Sequence, residues 1–188
     1  MNKKGKRVTR KSVTQKTSKK MVSALFTGSA FSALASRNNG NKKTSKKMVS
    51  ALVTGSAFRA LASNNQSISP FSRTIVQFAN EQFDLNNEYS PSSSTFVPKQ
   101  TGIYSIDSSI VFGPTVTNQQ TSISMNVLVN NDVVATTLKN FVPTAAFSVT
   151  ISAILRLRPG DRVQIMFTAN REGQIFLSQT TAFQAARF

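Results

Sequence analysis

For acid–base or nucleophilic chemistry this 188-residue chain has seven carboxylates but neither a histidine nor a cysteine. Ser-His-Asp and Cys-His catalysis, zinc-thiolate sites, histidine metal sites and disulfides are therefore excluded. Two carboxylates could serve glycoside hydrolysis. However, Glu81, Asp84, Glu88 and Asp107 have no spacing that brings two of them to one bond. No catalytic, cofactor-binding or metal-binding residue is assigned, and no enzyme activity is expected. The remaining ionic chemistry is cationic, and it is concentrated at one end. All seven acids lie at or beyond Glu81, while 15 of the 23 Lys and Arg lie at or before Ser63. The net +16 thus divides into +15 up to Ser63 and +1 from Asn64 onward. A basic arm precedes a nearly neutral domain, and the two must do different physical jobs.

The arm, residues 1–66, contains a tandem repeat. Residues 17–36 recur at 44–63, a period of 27, with two of twenty positions changed: Phe26 becomes Val53 and Ser32 becomes Arg59. A polar linker, Arg37–Lys43, separates the copies. Met21, Leu25, Gly28, Phe31 and Ala35, and again Met48, Leu52, Gly55, Phe58 and Ala62, fall near helical spacing, so each copy reads as a short helix. Gly28 and Gly55 cost each helix about 1 kcal/mol relative to Ala. Such helices order only against a partner. Lys19, Lys20, Met21, Leu25 and Phe31 form the expected docking face of one copy. Lys46, Lys47, Met48, Leu52 and Phe58 form that of the other.

Three roles fit this arm. One is an export signal, since Ala33-Leu34-Ala35 and Ala60-Leu61-Ala62 are A-x-A cleavage patterns. Another is nucleic-acid binding by a basic arm of a capsid-type protein in a virion, although the arm lacks Tyr and Trp to stack on bases. The third is docking of the domain to a larger protein assembly or an acidic surface. Charge alone has no use for two apolar segments, which favours docking. No apolar run reaches the length of a transmembrane helix.

Residues 67–188 read as all-β. Tyr104, Ile106, Ile110 and Phe112 alternate with Ser105, Asp107, Ser109 and Val111. Ile123–Val129, Val149–Leu157 and Val163–Phe167 alternate in the same way, and turns fall at Asn130–Asp132 and Pro159-Gly160-Asp161. Short strands at this spacing build a sandwich or jelly roll.

Arg73–Phe78, Phe83–Tyr89, Phe96-Val-Pro98, Gly102-Ile-Tyr104, Leu155-Arg-Leu-Arg-Pro-Gly-Asp-Arg-Val163 and Thr181-Ala-Phe183 occur in that order. Together they resemble the C1q-like domain family over about residues 71–188. The resemblance implies a C1q/tumour-necrosis-factor-like jelly roll of about ten antiparallel strands, opening with Arg73–Phe78, and a homotrimer. It also implies a bacterial cell or spore surface, the exosporium included; the arm's other two roles would instead make the protein secreted or part of a virion. The family's calcium sites find no acidic cluster here. Tyr104, Phe112, Phe167, Phe176 and Phe183 are expected in the core or on the threefold interface.

Overall fold

A computed structural model describes residues 55–188. Among them there is no helix, only thirteen strands in two antiparallel sheets. The strands in chain order are β1 (Ala57–Leu61), β2 (Gln66–Ile68), β3 (Thr74–Ile75), β4 (Asn80–Asp84), β5 (Tyr89–Ser90) and β6 (Thr95–Phe96). Then follow β7 (Gly102–Pro114), β8 (Thr121–Val129), β9 (Asp132–Phe141), β10 (Phe147–Leu157), β11 (Val163–Ala169), β12 (Gly173–Ile175) and β13 (Ala182–Arg187). Sheet I runs β2-β12-β7-β13-β1-β4, with β10 along the other edge of β7. Sheet II runs β5-β6-β11-β8-β9, with β3 also on β11. This is the expected jelly-roll sandwich, with more and shorter strands than the ten anticipated.

Two expectations need correction. The described part of the second repeat copy is strand, not helix. β1 pairs with β13 on one side, Ala57↔Ala186 through Leu61↔Ala182, and with β4 on the other. The domain thus opens at residue 57 rather than 67, and Arg73–Phe78 contributes only the two-residue β3. The segment fits both periods: Leu52, Gly55, Phe58 and Ala62 suit a helix, while Phe58, Ala60 and Ala62 suit a strand. Two waiting sheet edges and the core behind them decide between the periods, because they satisfy the backbone and bury one face together.

Phe58, Ala60 and Ala62 all turn inward and are buried. The Phe58 ring stacks on Tyr89 with centroids 4.5 Å apart and on Phe96 at 4.9 Å, and it meets Phe183 edge-on at 4.9 Å. The core continues along β7 through Tyr104, Ile106, Ile110 and Phe112. From sheet II it receives Met125, Val127, Ile165 and Phe167. The polar groups this burial traps are paired. Tyr89 Oη donates to the Phe78 carbonyl at 2.7 Å, and Tyr104 Oη donates to the Gln100 carbonyl at 2.9 Å. Burial pushes both phenols up from their ordinary value. Gly173 is required by crowding: a Cβ there would lie 2.4 Å from the Gly113 carbonyl oxygen.

The turns lock to one another. Asn130 and Asn131 take positive φ (55° and 73°), the two-residue hairpin turn between β8 and β9. Gly160 has φ of 89° in the next turn, between β10 and β11. Asp161 joins the two turns: its carboxylate accepts from the Arg158 amide at 2.7 Å and from Asn130 Nδ2 at 3.0 Å. These bonds, the Arg158 amide first, hold the Asp161 carboxyl below its ordinary value.

Phe183→Ala should cost about 3–5 kcal/mol in denaturant unfolding, because it empties the centre of the ring cluster. Asp161→Ala should cost at most about 1 kcal/mol at pH 7, since the site is open to water. The depressed carboxyl contributes its full stability above the ordinary aspartate value and loses it as pH falls further. The gap between wild type and variant in thermal melts should therefore be constant above about pH 4 and close as pH falls below it.

Candidate functional site

Alternation sends every second residue of sheet I away from the core, and β4, β1, β13, β7 and β10 leave that outer surface uncovered by sheet II. Strand register orders it into rows. Leu61, Ala182, Ser109 and Thr150 form one row, Arg59, Gln184, Asp107 and Ser152 the next, and Ala57, Ala186, Ser105 and Ile154 a third. A last pair, Ile103 and Arg156, lies beside Phe188, whose amide donates to the Ile103 carbonyl at 3.0 Å. At the other end, Phe176 lies over Gly113: a Cβ on Gly113 would sit 2.5 Å from the ring. An aromatic thus stands at each end of a field of Ala and Ser.

An open sheet face usually carries long polar side chains. Here the long polar side chains of β1, β13, β7 and β10 are Arg59, Gln184 and Arg156, Phe83 of β4 stands exposed opposite Arg59, and Asp107 is held down. Ser105 Oγ donates to one Asp107 oxygen at 2.6 Å and Ser152 Oγ to the other. Arg59, Asp107, Ser109, Thr150 and Gln184 line a shallow depression at the centre. Ile103, Ile154 and Phe188 stand exposed at one end, Phe188 at 80 % and Ile154 at 70 % of full accessibility. The surface is flat, weakly charged and apolar at its rim, so its chemistry is that of contact with a complementary surface.

The carboxylates do structural work instead of converging. Buried Glu88 accepts from Ser56 Oγ and, at 2.7 Å, from the Lys99 amide, tying the start of β1 to the loop after β6. Asp84 accepts from the amides of Asn86 and Tyr89. Glu81 is exposed on β4.

Of the aromatics expected in the core or on the threefold interface, Tyr104, Phe112, Phe167 and Phe183 are fully buried in the core. Phe176 is half-buried at the end of the outer face. Phe58, expected on a docking helix, is a core ring, because its strand is part of sheet I. The same placement bears on the second cleavage pattern: Ala60-Leu61-Ala62 is built into and beside β1, so cutting after Ala62 would take a strand from the sheet. Lys19, Lys20, Met21, Leu25, Phe31, Lys46, Lys47, Met48 and Leu52 lie outside the described residues. Sequence reasoning missed the outer face. Its one legible signal was the run of Ser at the polar positions of β7 and β10.

Two sheets in this order, closed by β1, define a jelly roll of the kind found in complement and cytokine heads. The model of the C1q domain matches residues 57–184, and the chain belongs to that family. The match starts at β1, inside the second repeat copy. Among solved structures, murine APRIL is similar at a TM-score of 0.55 and 14 % identity, over 71 % of this chain and 99 % of that one. Eiger TNF from S. frugiperda is similar at 0.54 and 14 %, over 71 % and 91 %. The globular domain of zebrafish complement 1qA protein is similar at 0.50 and 16 %, over 69 % and 94 %. No curated protein matches the chain in sequence.

Proposed function

We propose that this protein is a non-enzymatic structural and surface-display protein. Its C1q-type head self-associates as a homotrimer and is held on a larger assembly, a bacterial cell or spore surface, by the basic arm. The outer face of sheet I carries this reading. Small side chains let a second copy approach closely, and Ile103, Ile154 and Phe188 gain by burial there. A catalytic role finds no support in the described carboxylates, since Glu88, Asp84, Asp107 and Asp161 each accept hydrogen bonds from the head's own groups.

The arm supplies attachment. Residues 1–56 hold 14 Lys and Arg and no acid, while residues 57–188 hold nine against seven. With β1 assigned to the head, the docking face reduces to Lys19, Lys20, Met21, Leu25, Lys46, Lys47, Met48 and Leu52. Three arms per trimer would turn weak single contacts into firm attachment.

The intact protein should sediment at three chain masses. Ser152→Arg or Ala186→Arg should weaken trimerisation at least about tenfold with an unchanged far-ultraviolet spectrum. A monomeric wild type would sink the trimer. For the arm, changing Met21, Leu25, Met48 and Leu52 to Ser should abolish capture on isolated cell or spore envelopes. If only the lysines matter, and capture by single-stranded nucleic acid falls steeply with salt instead, the arm is a nucleic-acid arm.

A further inference from the structure

The repeat and the sheet overlap, so the sequence of a structural strand occurs twice in the chain. Residues 55–63, which contain β1, read Gly-Ser-Ala-Phe-Arg-Ala-Leu-Ala-Ser. Residues 28–36 read Gly-Ser-Ala-Phe-Ser-Ala-Leu-Ala-Ser, eight of nine identical. Each side chain that seats β1 has its twin upstream. Ser56, which donates to buried Glu88, recurs as Ser29. Phe58, the ring stacked between Tyr89, Phe96 and Phe183, recurs as Phe31. Ala60 and Ala62, both buried, recur as Ala33 and Ala35. The backbone bonds around β1, such as the Ala62 amide to the Thr181 carbonyl at 3.0 Å and the Arg187 amide to the Ser56 carbonyl at 2.8 Å, do not depend on side-chain identity. The single difference, Arg59 against Ser32, falls on the exposed outer face among other serines, where either residue fits.

We propose that Ala30–Leu34 is a second occupant of the β1 position between β13 and β4, exchanging within the same chain with Ala57–Leu61. The core has no side chain with which to tell the two apart. What separates them is the connection to β2. From Leu61 to Gln66 the chain crosses four residues, and from Leu34 it crosses 31. Loop closure scales as the three-halves power of length, so the upstream copy is disfavoured roughly twentyfold. It is a minor occupant of the intact protein and the main one when the downstream strand is damaged. Exchange slides the arm by 27 residues: Ala35–Asn65 becomes a connecting loop, and the free segment ahead of the sheet shortens to residues 1–29. The head thereby has two arm lengths. This inference does not depend on the trimer or on the surface role.

Phenylalanine substitutions in the full chain test it. Phe31→Ala should leave the melting temperature unchanged. Phe58→Ala should lower it by only about 5 °C, the cost of the longer loop. The double variant should lose at least about twice as much, because neither copy then fills the ring cluster. Equal melting of Phe58→Ala and the double variant overturns the proposal. A chain without cysteine also permits a direct trap. Arg59 sits opposite Gln184 in the ladder, a separation a disulfide spans. Ser32→Cys with Gln184→Cys, in a chain otherwise wild type, should form a disulfide within one chain under slow oxidation, seen by mass spectrometry of the non-reduced protein. No bond, or a bond only between chains, overturns the proposal.

Discussion

The seat of β1 is the constraint on which the head depends. Phe58 occupies the space where Tyr89 and Phe96 of sheet II face Phe183 of sheet I, and its ring contacts all three. The ring sits at the centre of an aromatic bridge between the sheets that Tyr89 with Phe183, at 6.0 Å, and Phe96 with Tyr104, at 5.7 Å, complete. The strand that carries it also closes sheet I, giving β13 and β4 partners for backbone groups that would otherwise form open edges. Ser56, one turn of alternation earlier, satisfies the buried Glu88 carboxylate. Residues 56–61 therefore supply packing, edge pairing and charge satisfaction together.

The outer face follows from the same constraint. Once Phe58, Ala60, Phe183, Ala185 and the even-numbered residues of β7 are committed inward, Arg59, Gln184, Ala186 and the odd-numbered residues of β7 must face out. The short side chains there, with Asp107 clamped between Ser105 and Ser152, make a surface that can come close to another. Rigidity is shared with the turns, where Asn130 and Asp161 bind one hairpin end to its neighbour. The head thus has one side of sheet I left uncovered by sheet II, and its two neighbouring turns are tied together.

Much of this was legible in the residues, and the exceptions have one physical cause. Period-two alternation over Tyr104–Phe112, Ile123–Val129, Val149–Leu157 and Val163–Phe167 became β7, β8, β10 and β11 with the predicted faces inward. Turn chemistry at Asn130–Asp132 and Pro159–Asp161 held, because positive φ and local hydrogen bonds are properties of those residues alone. The stretch around Phe58 was misjudged because Ala, Leu, Ser and Gly at mixed spacing carry both periods. The site was hardly legible: four of five aromatics proposed for core or interface are core, and half of the three outer-face rows is Ala or Ser, which carry no local signal.

Composition and local pattern settled by themselves that this is an all-β head behind a basic arm, without thiol or imidazole chemistry. They did so because alternation, turn geometry and charge are written in neighbouring residues. The three-dimensional structure alone decided where the head begins, that Phe58 is a core ring and not a docking contact, and which small residues share one open face. Those outcomes depend on groups far apart in the chain, β1 against β13 and Ser56 against Glu88, and no local pattern records such meetings. It also decided that residues 57–61 of the second repeat copy form a strand, whose sequence recurs upstream with one change at residues 30–34.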